Sequence, residues 1–441
     1  MTFILDVGRR RDQDRFRSLD TVRFLVQPQF RADPYPLYDR LRAHERVHHA
    51  SIGATLVSGY DEALAVLKDP GVRSDEDHVD MSLGAGRGGA GLIAELPGRL
   101  IIRAASTGGQ GVGQGAFIRL AQKLLISLDP PDHTRIRALA SRAFTARTVE
   151  RLRPEIEAIA ERLLDGLAPA GGTELIESYC YRLPVIVICR LLGVPDADHD
   201  EFGQWVPDVV AGLDGAAITS RKVRERADAA AVKLDRYLRR LIDQRRADPA
   251  DDLLSALIAA ADGDDRLSEE ELVAFAALLL IAGHETTANL MGNGLHALWR
   301  NADQFHRWRT EPDLRANGVE ELLRFDSPVQ LVQRIAVEPI EIVGTTIAPG
   351  RFIMVLTGAA NHDPARFTDP HRLDLGRQEG PSLSFGFGIH HCIGAPLARA
   401  EAEIGLGALF DRFPRLRVEL DAPRWKSAII FRGLQELPVR W

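Results

Sequence analysis

The residues of this chain best suited to chemistry fall in three short stretches. The first is Phe385-Gly386-Phe387-Gly388-Ile389-His390-His391-Cys392-Ile393-Gly394-Ala395-Pro396, after which Leu397, Ile404 and Leu409 continue at helical spacing. Cys392 therefore sits just ahead of a helix, where free N–H groups and the macrodipole favour an anion, lower a thiol pKa and suit a thiolate ligand. Gly386, Gly388 and Gly394 let the backbone pass close to a flat bound group and aim amides at the sulfur, which bulkier residues would block. An arbitrary cysteine is a small buried hydrophobe; the surrounding glycines argue against that here. The second stretch, Ala282-Gly283-His284-Glu285-Thr286-Thr287, interrupts the apolar run from Leu272 to Leu298 with an acid and two hydroxyls. Gly283 costs about 1 kcal/mol against Ala in a helix interior and so needs a reason. A threonine hydroxyl bonding back to the carbonyl one turn earlier, beside that glycine, would open the helix enough to admit a small molecule or water. The third, Glu321-Leu322-Leu323-Arg324, places a carboxylate and a guanidinium three apart on one helical face, in isolation an ordinary surface ion pair.

The elements that must position these residues are mostly helices. Apolar residues at three- and four-residue spacing, bounded by Pro, Gly or Asp, predict helices over 134–145, 149–168, 175–192, 199–211, 218–247, 251–261, 269–298 and 313–324. Before them, Leu37, Tyr38 and Leu41 suggest a short helix, 47–57 a hairpin, and 61–68 another helix. Strands are short and late: 332–338, 340–343, 352–356 and 427–432. Residues 1–30 read as an irregular extension. Residues 82–115 hold eleven glycines and read as a long loop. No repeat or composition break marks a second domain, so the expectation is a mainly α protein with a small β region, one large domain over 31–441. With 441 residues, 45% hydrophobic and 27% charged, the chain has the balance of a folded protein, not a disordered one. A net charge of −7 disfavours nucleic acid as a partner. Three cysteines are too few and too odd for a disulfide framework and point to a reducing, cytoplasmic setting. No apolar run reaches the roughly 20 residues of a membrane span, and the first residues lack the charge order of a secretion signal.

In this order and spacing the three stretches resemble the cytochrome P-450 superfamily of haem-thiolate monooxygenases. The family's Phe-x-x-Gly-x-x-x-Cys-x-Gly loop is met by Phe385, Gly388, Cys392 and Gly394, and its Glu-x-x-Arg motif by Glu321 and Arg324. Asp129-Pro130-Pro131-Asp132-His133-Thr134-Arg135-Ile136-Arg137, Asn361-His362-Asp363-Pro364 and Phe431-Arg432-Gly433-Leu434 are typical of soluble bacterial members, and the likeness extends over roughly 33–441.

The resemblance implies haem b as cofactor, buried between the long central helix and the Cys-loop helix, with Cys392 as axial thiolate. His133, Arg137, Arg334 and His390 would pair its propionates, Phe385 would lie beside the sulfur, and Ala282 and Gly283 would border the haem on the other side. Thr286 would hold the dioxygen co-substrate by a hydrogen bond while Glu285 relays protons from solvent. Glu321 and Arg324 would form a structural network with the loop around His371 and Arg372. Substrate contacts would come from Leu278, Ile281, Val329, Gln330, Val332, Ile430, Phe431 and the 82–115 loop acting as a lid, a lining that suits a hydrophobic small molecule. Electrons would come from NAD(P)H through a ferredoxin reductase and a ferredoxin docking on the Cys392 side, with Arg399 a candidate contact. A haem-thiolate protein that uses peroxide, isomerises or only senses its ligand is the alternative; the Glu285–Thr286 pair favours the monooxygenase. Gly84-Ala85-Gly86-Arg87-Gly88-Gly89 fits a dinucleotide pattern without the strand and helix that pattern needs. His390-His391-Cys392 has no companion motif for a zinc site, and Cys180 and Cys189 read as core residues.

Overall fold

The helix that carries Glu285 and Thr286 organises the molecule. The Ser268 hydroxyl starts it by accepting from the Glu271 amide (3.2 Å) while the Glu271 carboxylate accepts from the Ser268 amide (2.7 Å). Glu269, Glu270 and Glu271 put three carboxylates on its positive end. It then runs for 32 residues, Glu269–Arg300, buried on nearly every side, as befits a helix apolar all round. Its length and composition would suit a membrane span, but 78% of its most apolar window is buried inside the fold, the setting of a core helix. In this computed structural model the described residues are 28–50, 54–74, 115–213, 220–261, 267–420 and 422–441. The expected lid, 82–115, lies outside them except for Gly115, as does the extension as far as residue 27.

Helices Arg182–Leu191, Arg221–Ala247, Arg315–Phe325 and Ala395–Arg412 pack around the central one and share its main hydrophobic core. Close approach is built in: a Cβ at Gly292 would stand 2.6 Å from Ile176 Cδ1, and one at Gly294 3.0 Å from Leu322 Cδ1. The β part lies to one side. Strands β1 (Val47–His49), β2 (Ala54–Val57), β3 (Val72–Arg73), β5 (Val332–Ala336) and β8 (Phe352–Val355) form one sheet in the order β1-β2-β8-β5-β3. Its only parallel pair among the described strands is β2 with β8, and β5 runs antiparallel to β8, setting Arg334 opposite Ile353. A second sheet joins β4 (Gly172–Glu174), β10 (Pro438–Arg440) and β9 (Arg417–Val418), and β6 (Ile340–Ile342) pairs with β7 (Thr345–Ile347).

The mainly helical, single-domain expectation holds, with local corrections. The stretch 175–192 is not one helix. It opens with a wide π-type turn, Ile176–Cys180, in which the Tyr181 amide reaches back to the Ile176 carbonyl (2.8 Å), and only then becomes the helix Arg182–Leu191. Residues 427–432 are not a strand; Phe431 makes a single bridge to Val329. A five-residue helix, Pro28–Ala32, begins inside the stretch expected to be irregular, anchored by buried Phe30. Helix Ala302–Thr310 was not anticipated: Asp303, His306, Arg307 and Arg309 leave it too polar for a clear stripe, although Trp308 is fully buried.

Candidate active site

The loop before Cys392 is shaped by two glycines. Gly386 and Gly388 adopt φ of 67° and 71°, the left-handed region that suits glycine. At Gly388 the constraint is double, because an added Cβ would stand 2.5 Å from the Leu67 carbonyl oxygen at the end of helix Tyr60–Lys68. The loop closes when the Cys392 amide donates to the Phe385 carbonyl (2.9 Å), and the chain enters helix Ala395–Arg412 with Pro396 in its first turn. Phe385 packs beneath the Arg399 guanidinium, 4.6 Å from ring centre, and that guanidinium is paired with Glu320. Burial pushes the Cys392 thiol up from its ordinary value, while the Gly394 and Ala395 amides and the Arg137 and Arg399 charges pull it down. The net direction is opposite to the lowering expected from the helix terminus, because desolvation of the thiolate outweighs the dipole; coordination to a metal would deprotonate the sulfur outright.

On the central helix the continuous burial breaks at Ala282, which is exposed, and at Gly283 and Thr286, which are half-buried. The Thr286 hydroxyl donates to the Ala282 carbonyl (2.7 Å), the back-bond foreseen from the sequence. Glu285 turns the other way. It is 4% exposed and accepts from Lys426 Nζ (2.8 Å), Tyr181 Oη (2.5 Å) and Asn289 Nδ2 (3.1 Å). Burial alone would raise its pKa, but the Lys426 charge and these donors bring it below the ordinary carboxylate value. Lys426, on the carboxyl-terminal segment, and Tyr181, placed by the π-type turn, had no sequence motif to announce them. The same holds for Glu401 on the Cys-loop helix. It is fully buried, shares a hydrogen bond with Thr287, and burial pushes it up to about 8.

Four residues expected to meet an anion do converge. The His133 and His390 rings stand 4.3 Å apart, and both feel Asp129, Arg137 and Arg334. His390 Nε2 lies 3.0 Å from Ser74 Oγ, and Arg137 donates to the His391 carbonyl (2.6 Å). His133 is 2% exposed, yet neither ring nitrogen has a hydrogen-bond partner among the described residues. Burial and the neighbouring charges of His390 and Arg137 hold its pKa down at about 4. Burial likewise pushes Arg334 down to about 10. Such a cluster fits a haem: paired propionates would satisfy the orphaned imidazole and neutralise the arginines, Cys392 supplies a half-buried sulfur, and Ala282, Gly283 and Thr286 offer an open face without bulk.

Glu321 and Arg324 are both 2% exposed and doubly bonded (2.7 and 2.8 Å), not the surface pair that the spacing alone suggests. Arg324 also donates to the carbonyls of Asn361, Pro370 and Arg372, and Glu321 accepts from the Asp374 amide and Arg377. The expected loop is thus engaged through its backbone, while the His371 ring pairs with Asp39 instead. Leu278 and Ile281 are buried on the central helix, and Val329, Val332, Ile430 and Phe431 are half-buried, Val329 being bridged to Phe431. Gln330 is a correction: it is 4% exposed, its amide donates to the Ser327 carbonyl (2.8 Å) and its oxygen accepts from Tyr38 Oη (3.0 Å), leaving it a structural strut.

A mainly helical domain in which a glycine-shaped cysteine loop leads into a helix packed on an interrupted central helix suits a haem-thiolate protein, and comparison with known sequences and structures agrees. The sequence profile described as "Cytochrome P450" matches residues 214–426. The chain is 40% identical over 422 residues to the cytochrome P450 monooxygenase PikC of Streptomyces venezuelae, covering 93% of this chain and 92% of that one. It is 38% identical to the 6-deoxyerythronolide B hydroxylase of Saccharopolyspora erythraea, covering 96% and 99%. Among solved structures, P450BioI in complex with an acyl carrier protein loaded with hexadec-9Z-enoic acid matches with a TM-score of 0.82 at 35% identity, covering 94% and 99%. This chain belongs to the cytochrome P450 family. It is an oxygen-incorporating oxidoreductase, a P450 monooxygenase, with haem as the family's cofactor.

Proposed function

We propose that this monooxygenase inserts one oxygen atom into a hydrophobic small molecule, by hydroxylation or epoxidation, using two electrons delivered by a ferredoxin and a haem b that Cys392 would hold through its sulfur. Bound there, the haem supplies the activation of dioxygen; the residues of the chain do the rest. The observation that carries this reading is the gathering of His133, Arg137 and Arg334 about His390 and His391 on the glycine-shaped Cys392 loop. His133, Arg137, Arg334 and His390 hold the propionates. The Thr286 hydroxyl, free to rotate away from the Ala282 carbonyl, donates to the co-substrate. Protons from solvent would pass toward that hydroxyl along Lys426, whose side chain is one-fifth exposed, and the Glu285 carboxylate that accepts from it. Phe385, Gly386, Gly388 and Gly394 shape the sulfur's pocket.

The apolar lining from Leu278, Ile281, Val329, Val332, Ile430 and Phe431 supports a hydrophobic substrate, and the named relatives include hydroxylases and a mycinamicin IV hydroxylase/epoxidase. For the electron donor, Arg399 and Arg137 both lie close enough to His391 to add to burial in lowering its pKa, and Ile389 in the same loop is 51% exposed, a basic and apolar surface on the Cys392 side that suits a small acidic protein such as ferredoxin. All three cysteines are free, which fits a cytoplasmic, reducing setting.

The test is the visible spectrum of purified protein, oxidised and then reduced under carbon monoxide, beside Cys392→Ser. A red-shifted thiolate–carbonyl Soret band in the parent that is missing from the variant is expected. A band unchanged by the substitution would overturn Cys392 as ligand.

A further inference from the structure

Separated by β2 and β8 from Arg334 on β5, the corner between helix Tyr35–His44 and strand β1 gathers a second set of metal-ligating side chains. His44 closes the helix, Glu45 turns into extended backbone with its amide still bonded to the Leu41 carbonyl (2.9 Å), and His48 sits on β1, paired in register with Leu56. One ligand atom from each of His44, Glu45 and His48 lies within 4.8 Å of the others. We propose that this corner is a binding site for a borderline divalent cation, zinc above all, held by two imidazoles and one carboxylate.

The donor set chooses the metal. Calcium and magnesium want all-oxygen shells, whereas two nitrogens and one carboxylate oxygen are a recurrent zinc set that leaves a fourth position to water. The backbone presents the donors without needing the ion, since the helix end and the strand pairing fix their positions. His48 is the buried wall of the site, 5% exposed, with Nδ1 3.2 Å from Glu45 Oε2 and Nε2 without a partner among the described residues. A histidine kept purely for structure would have both nitrogens satisfied. His44 and Glu45 are exposed and face water, so an ion has an entry path. The nearest cation is spent elsewhere, because Arg46 pairs with Glu62 and Asp363. His49 leaves on the opposite face of the strand with its Nδ1 3.0 Å from Thr55 Oγ1.

Zinc titrated calorimetrically into the haem-loaded protein tests this, with Cys392 then occupied by iron. The parent should take up one zinc ion, and His44→Ala, exposed and so harmless to folding, should weaken uptake at least tenfold, as should Glu45→Gln. X-ray absorption at the zinc edge should show only nitrogen and oxygen neighbours at about 2.0–2.2 Å. Equal uptake by parent and His44→Ala, a sulfur neighbour, or no uptake at all would each overturn the proposal while leaving the monooxygenase reading intact.

Discussion

Arg324–Glu321 and Lys426–Glu285 are carboxylate–cation pairs of similar chemistry, and they are built differently. Arg324 and Glu321 are locked by backbone: three carbonyls take the guanidinium's remaining protons, and a backbone amide donates to the carboxylate. Glu285 and Lys426 are surrounded only by side chains, Tyr181 and Asn289, with the ammonium also lying over the Tyr181 ring at 4.5 Å. Main-chain partners cannot rotate away, so the first pair is a fixed strut. Side-chain partners can, so the second can exchange protons and hydrogen bonds while the fold stays put. The kind of partner, more than burial or distance, separates a structural ion pair from one able to take part in turnover.

Substitutions can break or sharpen this contrast. The largest effect is expected from Arg324→Ala, which strands Glu321 in the interior: a loss of about 3–5 kcal/mol, the usual cost of breaking a buried pair, read by denaturant unfolding and by haem content after purification. Lys426→Met should cost less, about 2 kcal/mol for a charged group left short of its partner, and should change the pH response. In the parent, Glu285 has a lowered pKa, so its contribution to stability is present above the ordinary carboxylate value and is lost as pH falls through the lowered one. Without the ammonium, burial dominates and pushes Glu285 up, so melting temperature should fall more steeply than the parent's as the pH is taken from 5 to 8. A melting curve that keeps the parent's slope would make Lys426 a bystander. The smallest effect belongs to Glu401, whose folded pKa of about 8 lies above the ordinary value near 4.3. It stabilises fully below the ordinary value and progressively less as pH rises to 8. Glu401→Gln should therefore match the parent in melting temperature near pH 5 and exceed it near pH 8.

Much of the site was legible because motif residues sit close together in sequence. The Cys392 loop, with its glycines and following helix, is local, and both the helix start and the φ > 0 positions follow from residue types. The Thr286 back-bond is likewise a contact within one turn. What escaped was non-local. Lys426 meets Glu285 across 141 residues, and no spacing rule encodes that. Tyr181 depended on a π-type turn hidden in a stretch whose apolar pattern, Leu175 to Leu192, reads as unbroken helix. Glu401 looked like one more polar residue on an amphipathic helix, although that helix is buried on more than one side. Gln330 misled for a different reason: a polar residue among apolar ones was read as facing a ligand, when its two hydrogen bonds, to Tyr38 and Ser327, consume it.

The late position of Lys426 bears on how the protein is made. During synthesis the central helix, with its acid, leaves the ribosome well before the last stretch of chain exists. That last stretch carries Lys426, the Arg432 guanidinium that binds Asp326 and the carbonyls of Arg31 and Ala32, and strand β10, which joins β4 to β9. A nascent chain stalled or cut short by some twenty residues would thus display the Cys392 loop, the Glu321–Arg324 pair and the Glu285–Thr286 stretch and still lack the ammonium on its acid and the tie to helix Pro28–Ala32. Tags or truncations at the carboxyl terminus should be chosen with this in mind.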